Sequence, residues 1–418
     1  MSLYYIISIV IVLATIFAYF NQRVLKLPNN IGVMIIAIVV SGLLMLTSDI
    51  FPSFFKDSIS LIRSVDFTDV LIGVLLNFLL FAGTIQVKIK DLRSQQLPVI
   101  LFATLGVVIS AFVAGGLMYF ATRAVHMNIK FEHCLLFGAL ISPTDPVSVL
   151  GILRDVGIPK SLETKIAGES LFNDGVAIIL FVTILHGIHN PDQSLQLSDI
   201  LTVFVKEVLG AIALGLIIGF IGLRALKTID DHKIHVMITL AIVMGGYILS
   251  KSLGTSAPLT MVSAGIFIGN YGNKYAISDI SRDYIDKFWE LIDEILNVIL
   301  FVLIGFELLL IKDFGHYWLI GLISIPVVLM ARFVSILLPS FIIRLQQKMP
   351  MRVIAFLTWG GLRGGISIAL ALNLTNGLHR DLFVFITYCI VVFSIVVQGL
   401  TFEKFINRKT RKKYTEEV

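Results

Sequence analysis

Apolar residues come in long, nearly unbroken runs separated by short polar stretches. Thirteen runs cover roughly 3–20, 31–47, 68–86, 98–121, 132–153, 164–186, 200–223, 234–250, 256–270, 288–310, 317–340, 351–373 and 382–401. Most are near the ~20 residues that an α-helix needs to cross the core of a bilayer. The pattern predicts an all-α polytopic membrane protein. The runs leave no room for a large soluble unit. Residues 1–401 therefore read as one transmembrane domain, and 402–418 as a short basic tail.

Composition agrees with this reading. Of 418 residues, 57% are hydrophobic and 15% charged, with a mean hydropathy of +0.92. A soluble domain has about half its residues apolar and roughly a quarter charged. The two cysteines, Cys134 and Cys389, lie in apolar runs and have neither disulfide-framework nor metal-ligand spacing. The run Leu3 to Phe20 has no basic segment before it and no small-residue cleavage site after it. It is expected to be a retained first helix rather than a signal peptide.

The net charge of +5 is unevenly distributed. Of the 33 Lys and Arg, 23 fall in the loops after runs 1, 3, 5, 7, 9 and 11 and in the tail, 8 fall on the opposite side, and Arg332 and Arg363 lie inside runs. The positive-inside rule then places the N-terminus outside and the C-terminus in the cytoplasm. The basic tail is a topology anchor beside anionic lipid, not a nucleic-acid arm.

Thirteen runs divide as six, a linker and six, which gives the two halves opposite orientations. Such inverted repeats recur in secondary transporters. The fifth run of each half is broken. Run 5 contains Ser142-Pro143-Thr144-Asp145-Pro146, and run 12 contains Gly360-Gly361-Leu362-Arg363-Gly364-Gly365. Helix breakers at matching places in two halves point to a binding site at the membrane midplane. The two prolines remove backbone donors and disfavour helix just before them, so Thr144 and Asp145 are expected in unwound backbone. Such backbone is tolerated at membrane depth only when buried in protein or lining a cavity. A plain proline kink is the other reading.

Run 6 holds Glu169, Ser170, Asn173 and Asp174. Glu169 and Asn173 are one turn apart, as are Ser170 and Asp174, so a hydroxyl and a carboxylate share one face. A charge at the bilayer centre costs at least ~2.5 kcal/mol, so both acids need partners or a function. The pattern favours a structural role for Glu169, paired with an arginine, and a functional one for the deeper Asp174. Arg332 reads as structural, since a guanidinium does not release its proton, while the role of Arg363 stays open. Run 10 opens with Glu290, Asp293 and Glu294 on one face. They are either acids favoured at an interfacial helix start or a funnel for cations. Glu307, near the outer end of that run, is expected at the interface. No histidine is placed at mid-membrane.

Three segments together resemble a known family: Ser142-Pro143-Thr144-Asp145-Pro146-Val147, then Gly168-Glu169-Ser170-Leu171-Phe172-Asn173-Asp174-Gly175, then Trp359-Gly360-Gly361-Leu362-Arg363-Gly364. They are similar to cation:proton antiporter family 1, which includes the NhaP-type exchangers of bacteria and archaea and the Na+/H+ exchangers of animals. The resemblance implies the NhaA-like fold. Discontinuous helices 5 and 12 would cross at mid-membrane in a core subdomain, interleaved with a dimerisation subdomain of a homodimer. It implies that Asp174 carries both ion and proton. Thr144, Ser170 and, through water, Asp145 would complete the Na+ shell, with Ser142 lining the same region. Asn173 would hold the local network, Glu169 would pair with Arg332, and Arg363 matches the family's arginine in helix 12. The implied activity is exchange of Na+ or Li+ for H+ across a bacterial inner membrane, with no cofactor beyond the transported ions. The electrogenic branch of the superfamily has two aspartates where this chain has Asn173-Asp174, so electroneutral exchange is implied. One departure stands out: many bacterial relatives read Leu-Leu-Phe-Glu-Gly in helix 3, and here Ala82 replaces the glutamate.

Exchange of K+ for H+ on the same scaffold is an alternative that these motifs do not separate, since both cations take oxygen ligands. A cation channel is a second alternative, but no repeated filter segment is present. An intramembrane hydrolase is a third, without a Gly-x-Ser-x-Gly elbow or paired metal-binding histidines at membrane depth.

Overall fold

A computed structural model describes residues 3–64, 69–145, 160–189, 205–272, 278–310 and 314–405. Among the described residues there are helices and no strand. In chain order the main helices are α1 (Leu3–Phe20), α2 (Asn29–Leu46), α3 (Pro52–Ser64), α4 (Val70–Ile85), α5 (Gln96–Ala124), α6 (Phe131–Ile141) and α7 (Lys160–His189). They continue with α8 (Val205–Thr228), α9 (His232–Leu253), α10 (Ala257–Phe267), α11 (Asp279–Glu307), α12 (Phe314–Ile343), α13 (Met351–Trp359), α14 (Gly365–Leu372) and α15 (Arg380–Phe402). Eight described helices are long and apolar enough to cross a membrane.

The apolar surface is divided between an interior and an outer belt. A large core gathers side chains such as Phe102, Phe137, Phe301, Phe356 and Phe383 from α5, α6, α11, α13 and α15, all essentially inaccessible. Many equally apolar side chains point outward: Ile217, Phe220 and Ile221 on α8, and Met237, Met244 and Ile248 on α9. A chain that is apolar on both sides of its helices needs a hydrocarbon solvent around it.

Run 12 is broken as expected. α13 stops at Trp359, residues 360–364 are not helical, and α14 resumes at Gly365. Run 5 is helical to Ile141 and leaves the helix over Ser142–Asp145, while its remainder, 146–153, lies outside the described residues.

Two expectations need correction. Residues 52–64 form α3, an amphipathic helix that packs near the Leu308–Leu310 turn. It is too short and too polar to register as an apolar run. The second correction concerns Glu290, Asp293 and Glu294. They do not begin a helix, because α11 starts at Asp279, where the Ser278 side chain accepts from the Ser281 N–H. The helix dipole acts mainly within the first turn, so it does not explain these acids.

Candidate functional site

The two breaks touch. The Asp145 N–H donates to the Leu362 carbonyl at 2.8 Å, joining the interrupted backbones of runs 5 and 12. Each break also supplies a charge that suits the helix end of the other. The Arg363 guanidinium donates to the carbonyls of Ser142 and Pro143, which follow the C-terminus of α6, the latter at 2.9 Å. Asp145 in turn lies against Gly364, the residue that caps the N-terminus of α14. A carboxylate is stabilised at a helix N-terminus, and a cation at a C-terminus. Gly364 is required by this approach, since a Cβ there would lie 2.6 Å from the Asp145 Cβ.

α15 supports the break from behind. Its Phe393–Gln398 stretch forms a π-helical turn, a local widening that re-aims side chains. Ser394 accepts from the Arg363 N–H at 2.9 Å and donates to Gln398 at 2.7 Å; Gln398 donates to the Trp359 carbonyl at 3.0 Å. These contacts satisfy backbone groups that the broken helix leaves without partners. Nothing in the sequence marked Ser394 or Gln398, because isolated small polar residues in an apolar run interrupt no periodicity.

α7 brings four polar side chains to the break, all buried. Thr144 bridges the two faces of α7. Its hydroxyl accepts from Asn173 Nδ2 at 2.6 Å and lies 3.0 Å from the Ser170 hydroxyl. Glu169 faces away and receives Arg332, whose Nη1 donates to Oε1 and whose Nη2 donates to Oε2 at 3.0 Å. Arg332 also donates to the Leu357 carbonyl in the last turn of α13, at 3.2 Å. Its guanidinium fills the space where a Cβ on residue 361 would stand, only 2.2 Å from Nε, so Gly361 is required there.

Asp174 is left without such a partner. It is only 4% exposed, and its Oδ1 is buried with no hydrogen bond. It lies with Thr144, Asp145 and Ser170 in the wall of a cavity of about 790 Å³. Glu169 and Asn173 are not in that wall, so α7 shows its hydroxyl and free carboxylate to the cavity and its ion pair to the protein. Exposed Lys26, Lys88, Lys160, Glu290 and Glu294 mark the mouth, with half-buried Asp293 between the two glutamates and buried Asn297 farther along α11. Ala82 also lines the cavity and is buried, so the wall is apolar at that position. Among the described residues the floor thus offers hydroxyl and carboxylate oxygens, the donors that a hard cation takes.

A sequence profile described as sodium/hydrogen exchanger, transmembrane, matches residues 9–408. The chain belongs to this exchanger family. It is 43% identical over 408 residues to the Na+/H+ antiporter NhaP of Pseudomonas aeruginosa, with 96% of each chain covered. It is 29% identical to the Na+/H+ antiporter NhaH of Halobacillus dabanensis, covering 92% of this chain and 93% of that one. The fold is similar to the solved structure of the sodium proton antiporter MjNhaP1 from Methanocaldococcus jannaschii, with a TM-score of 0.73, 18% identity and 96% of each chain covered. This exchanger-family chain is therefore a multi-pass membrane transporter and not an enzyme.

Proposed function

We propose that this protein exchanges Na+, or Li+, for H+ across a bacterial inner membrane by alternating access, with cation and proton competing for Asp174. The observation that carries the reading is the unpartnered carboxylate oxygen of Asp174 at the floor of a polar cavity. An ionised carboxylate in a dry interior is costly, so Asp174 needs either a cation or a proton whenever the cavity closes. Thr144 and Ser170 supply neutral oxygens, and Asp145 supplies a second carboxylate, while Asn173 fixes the Thr144 hydroxyl. Glu169 is neutralised by Arg332 and takes no part in transport. Arg363 holds the break in shape. The names of the relatives support the cation assignment.

The cavity mouth lies on the side that the positive-inside rule makes cytoplasmic, so this is an inward-open form with the N-terminus outside. The working unit is a homodimer with core and dimerisation subdomains interleaved along 1–401; most of the basic tail 402–418 lies outside the described residues. Everted membrane vesicles test the activity. Na+ or Li+ added to vesicles with an imposed pH gradient should release protons, K+ should not, and Asp174→Asn should abolish the response while the protein still purifies folded. Normal turnover in that variant moves the site elsewhere.

A further inference from the structure

Glu307 contradicts its sequence position. A carboxylate near the outer end of a run is expected at the interface, yet Glu307 is only 2% exposed. Among the described residues no ion pair holds it. Arg380 lies within electrostatic reach, but its Nε is used on the Leu372 carbonyl at 3.0 Å. Tyr388 is also near, and its hydroxyl is buried without a partner. A buried acid without an ion-pair partner costs stability, and a role in transport would account for its being kept there.

Its place on α11 supplies one. Asp293, Asn297, Leu300, Ile304 and Glu307 follow each other in steps of three and four, so they form one stripe along the helix. The first three line the cavity. Leu300 and Ile304, together with Leu71 of α4, close over Gly365, where an added Cβ would meet all three within 3.4 Å. Leu71 and Leu300 stand in the cavity wall and Ile304 does not, so along this stripe the cavity ends at these packed apolar side chains, which act as its seal. Glu307 stands on the same stripe just beyond the seal, about 10 Å of helix axis past Leu300. Ser367, the next outward-going polar group of α14, lines the cavity with a hydroxyl that is buried and unpartnered.

We propose that Glu307 is the far-side carboxylate of the transport path, which takes the cation between the outer solution and Asp174 when the seal of Leu71, Leu300 and Ile304 parts. This rests on the exchange reading above. Right-side-out and everted vesicles give the Na+ concentration for half-maximal proton movement at each face separately. Glu307→Gln should raise that concentration several-fold at the face away from the cavity and leave it unchanged at the cavity face. Glu307→Asp should stay near the parent at both. Equal values for parent and Glu307→Gln, or an equal change at both faces, overturns the assignment. A parent that moves no protons in response to Na+ overturns the exchange reading instead. The unaltered chain provides a measurement independent of folding in the variants. A hydrophobic carbodiimide should modify Glu307, as read by peptide mass spectrometry, and Na+ but not choline should protect it. Absence of protection by Na+ overturns the proposal.

Discussion

Asp174 and Glu169 sit five residues apart on one helix, both buried, with opposite fates. Glu169 is held by a two-pronged arginine and Asp174 has an oxygen with no partner. Removing either member of a buried pair leaves an uncompensated charge. Glu169→Gln and Arg332→Leu should therefore each lose about 3–5 kcal/mol of stability, and the double variant should recover a good part of it. Thermal melting in detergent checks this; additive losses in the double variant would mean that the two groups are not coupled. Gly364→Ala should abolish exchange even though alanine favours helix, because its Cβ has no room beside Asp145. Vesicle assays on Gly364→Ala, with a melting curve to show that the protein is folded, test that expectation. Thr144, Ser170 and Asp174 were legible because prolines and an i, i+4 pattern frame them. The burial of Glu307, and of Lys165 with its Nζ 3.9 Å from the Met349 sulfur, was not. A residue near the end of an apolar run can turn inward or outward, and linear position does not say which.

At the scale of elements, the two breaks act as one unit. Arg363 serves carbonyls of the first break, Asp145 approaches the helix start of the second, and one backbone bond joins them. Arg363→Gln should destabilise the protein by about 1–3 kcal/mol for the buried carbonyls left unpaired. It should also slow exchange more than it weakens Na+ binding, because the crossing loses its shape while the oxygens remain. Rates and half-saturating Na+ compared with the parent check this; an unchanged rate would assign the shape of the crossing to other contacts. The breaks were visible in sequence because proline and glycine interrupt helices for local reasons. The start of α11 was not visible. Its first turns carry Arg282, Asp283, Asp286 and Lys287, and hydropathy detects only what lies in hydrocarbon. α3 escaped for the same reason.

The whole molecule couples a charged mouth to a floor where, among the described residues, Asp174 keeps a carboxylate oxygen without a hydrogen bond. Under the proposed scheme Asp174 holds either Na+ or H+, so each half-cycle moves one positive charge against one negative one. Exchange should be one for one, without sustained current, and the Na+ concentration for half-saturation should rise as pH falls. Currents on a supported membrane decide it, and a steady current coupled to Na+ flux would defeat the single-carboxylate scheme. Glu290, Asp293 and Glu294 should concentrate cations at the mouth. Replacing all three by their amides should raise half-saturating Na+ at low ionic strength, and the difference should shrink near 0.15 M salt, where screening acts over about 8 Å. A difference that salt leaves intact would make these residues direct ligands. The overall plan was legible from run spacing and three motifs, because a bilayer imposes one length scale on every crossing. The contacts at the site depend on how distant segments meet, which no linear pattern encodes.

The seal of Leu71, Leu300 and Ile304 also has an electrical meaning. A polar cavity that reaches Asp174 carries the potential of the solution at its mouth deep into the protein. The membrane voltage then falls mostly across the short apolar stretch beyond the floor, not across the full thickness of the bilayer. An ion reaching Asp174 through the mouth crosses little of the field, so its binding from that side should scarcely sense voltage. The steep part of the field lies across these few side chains, and any charge moved through them experiences nearly all of it.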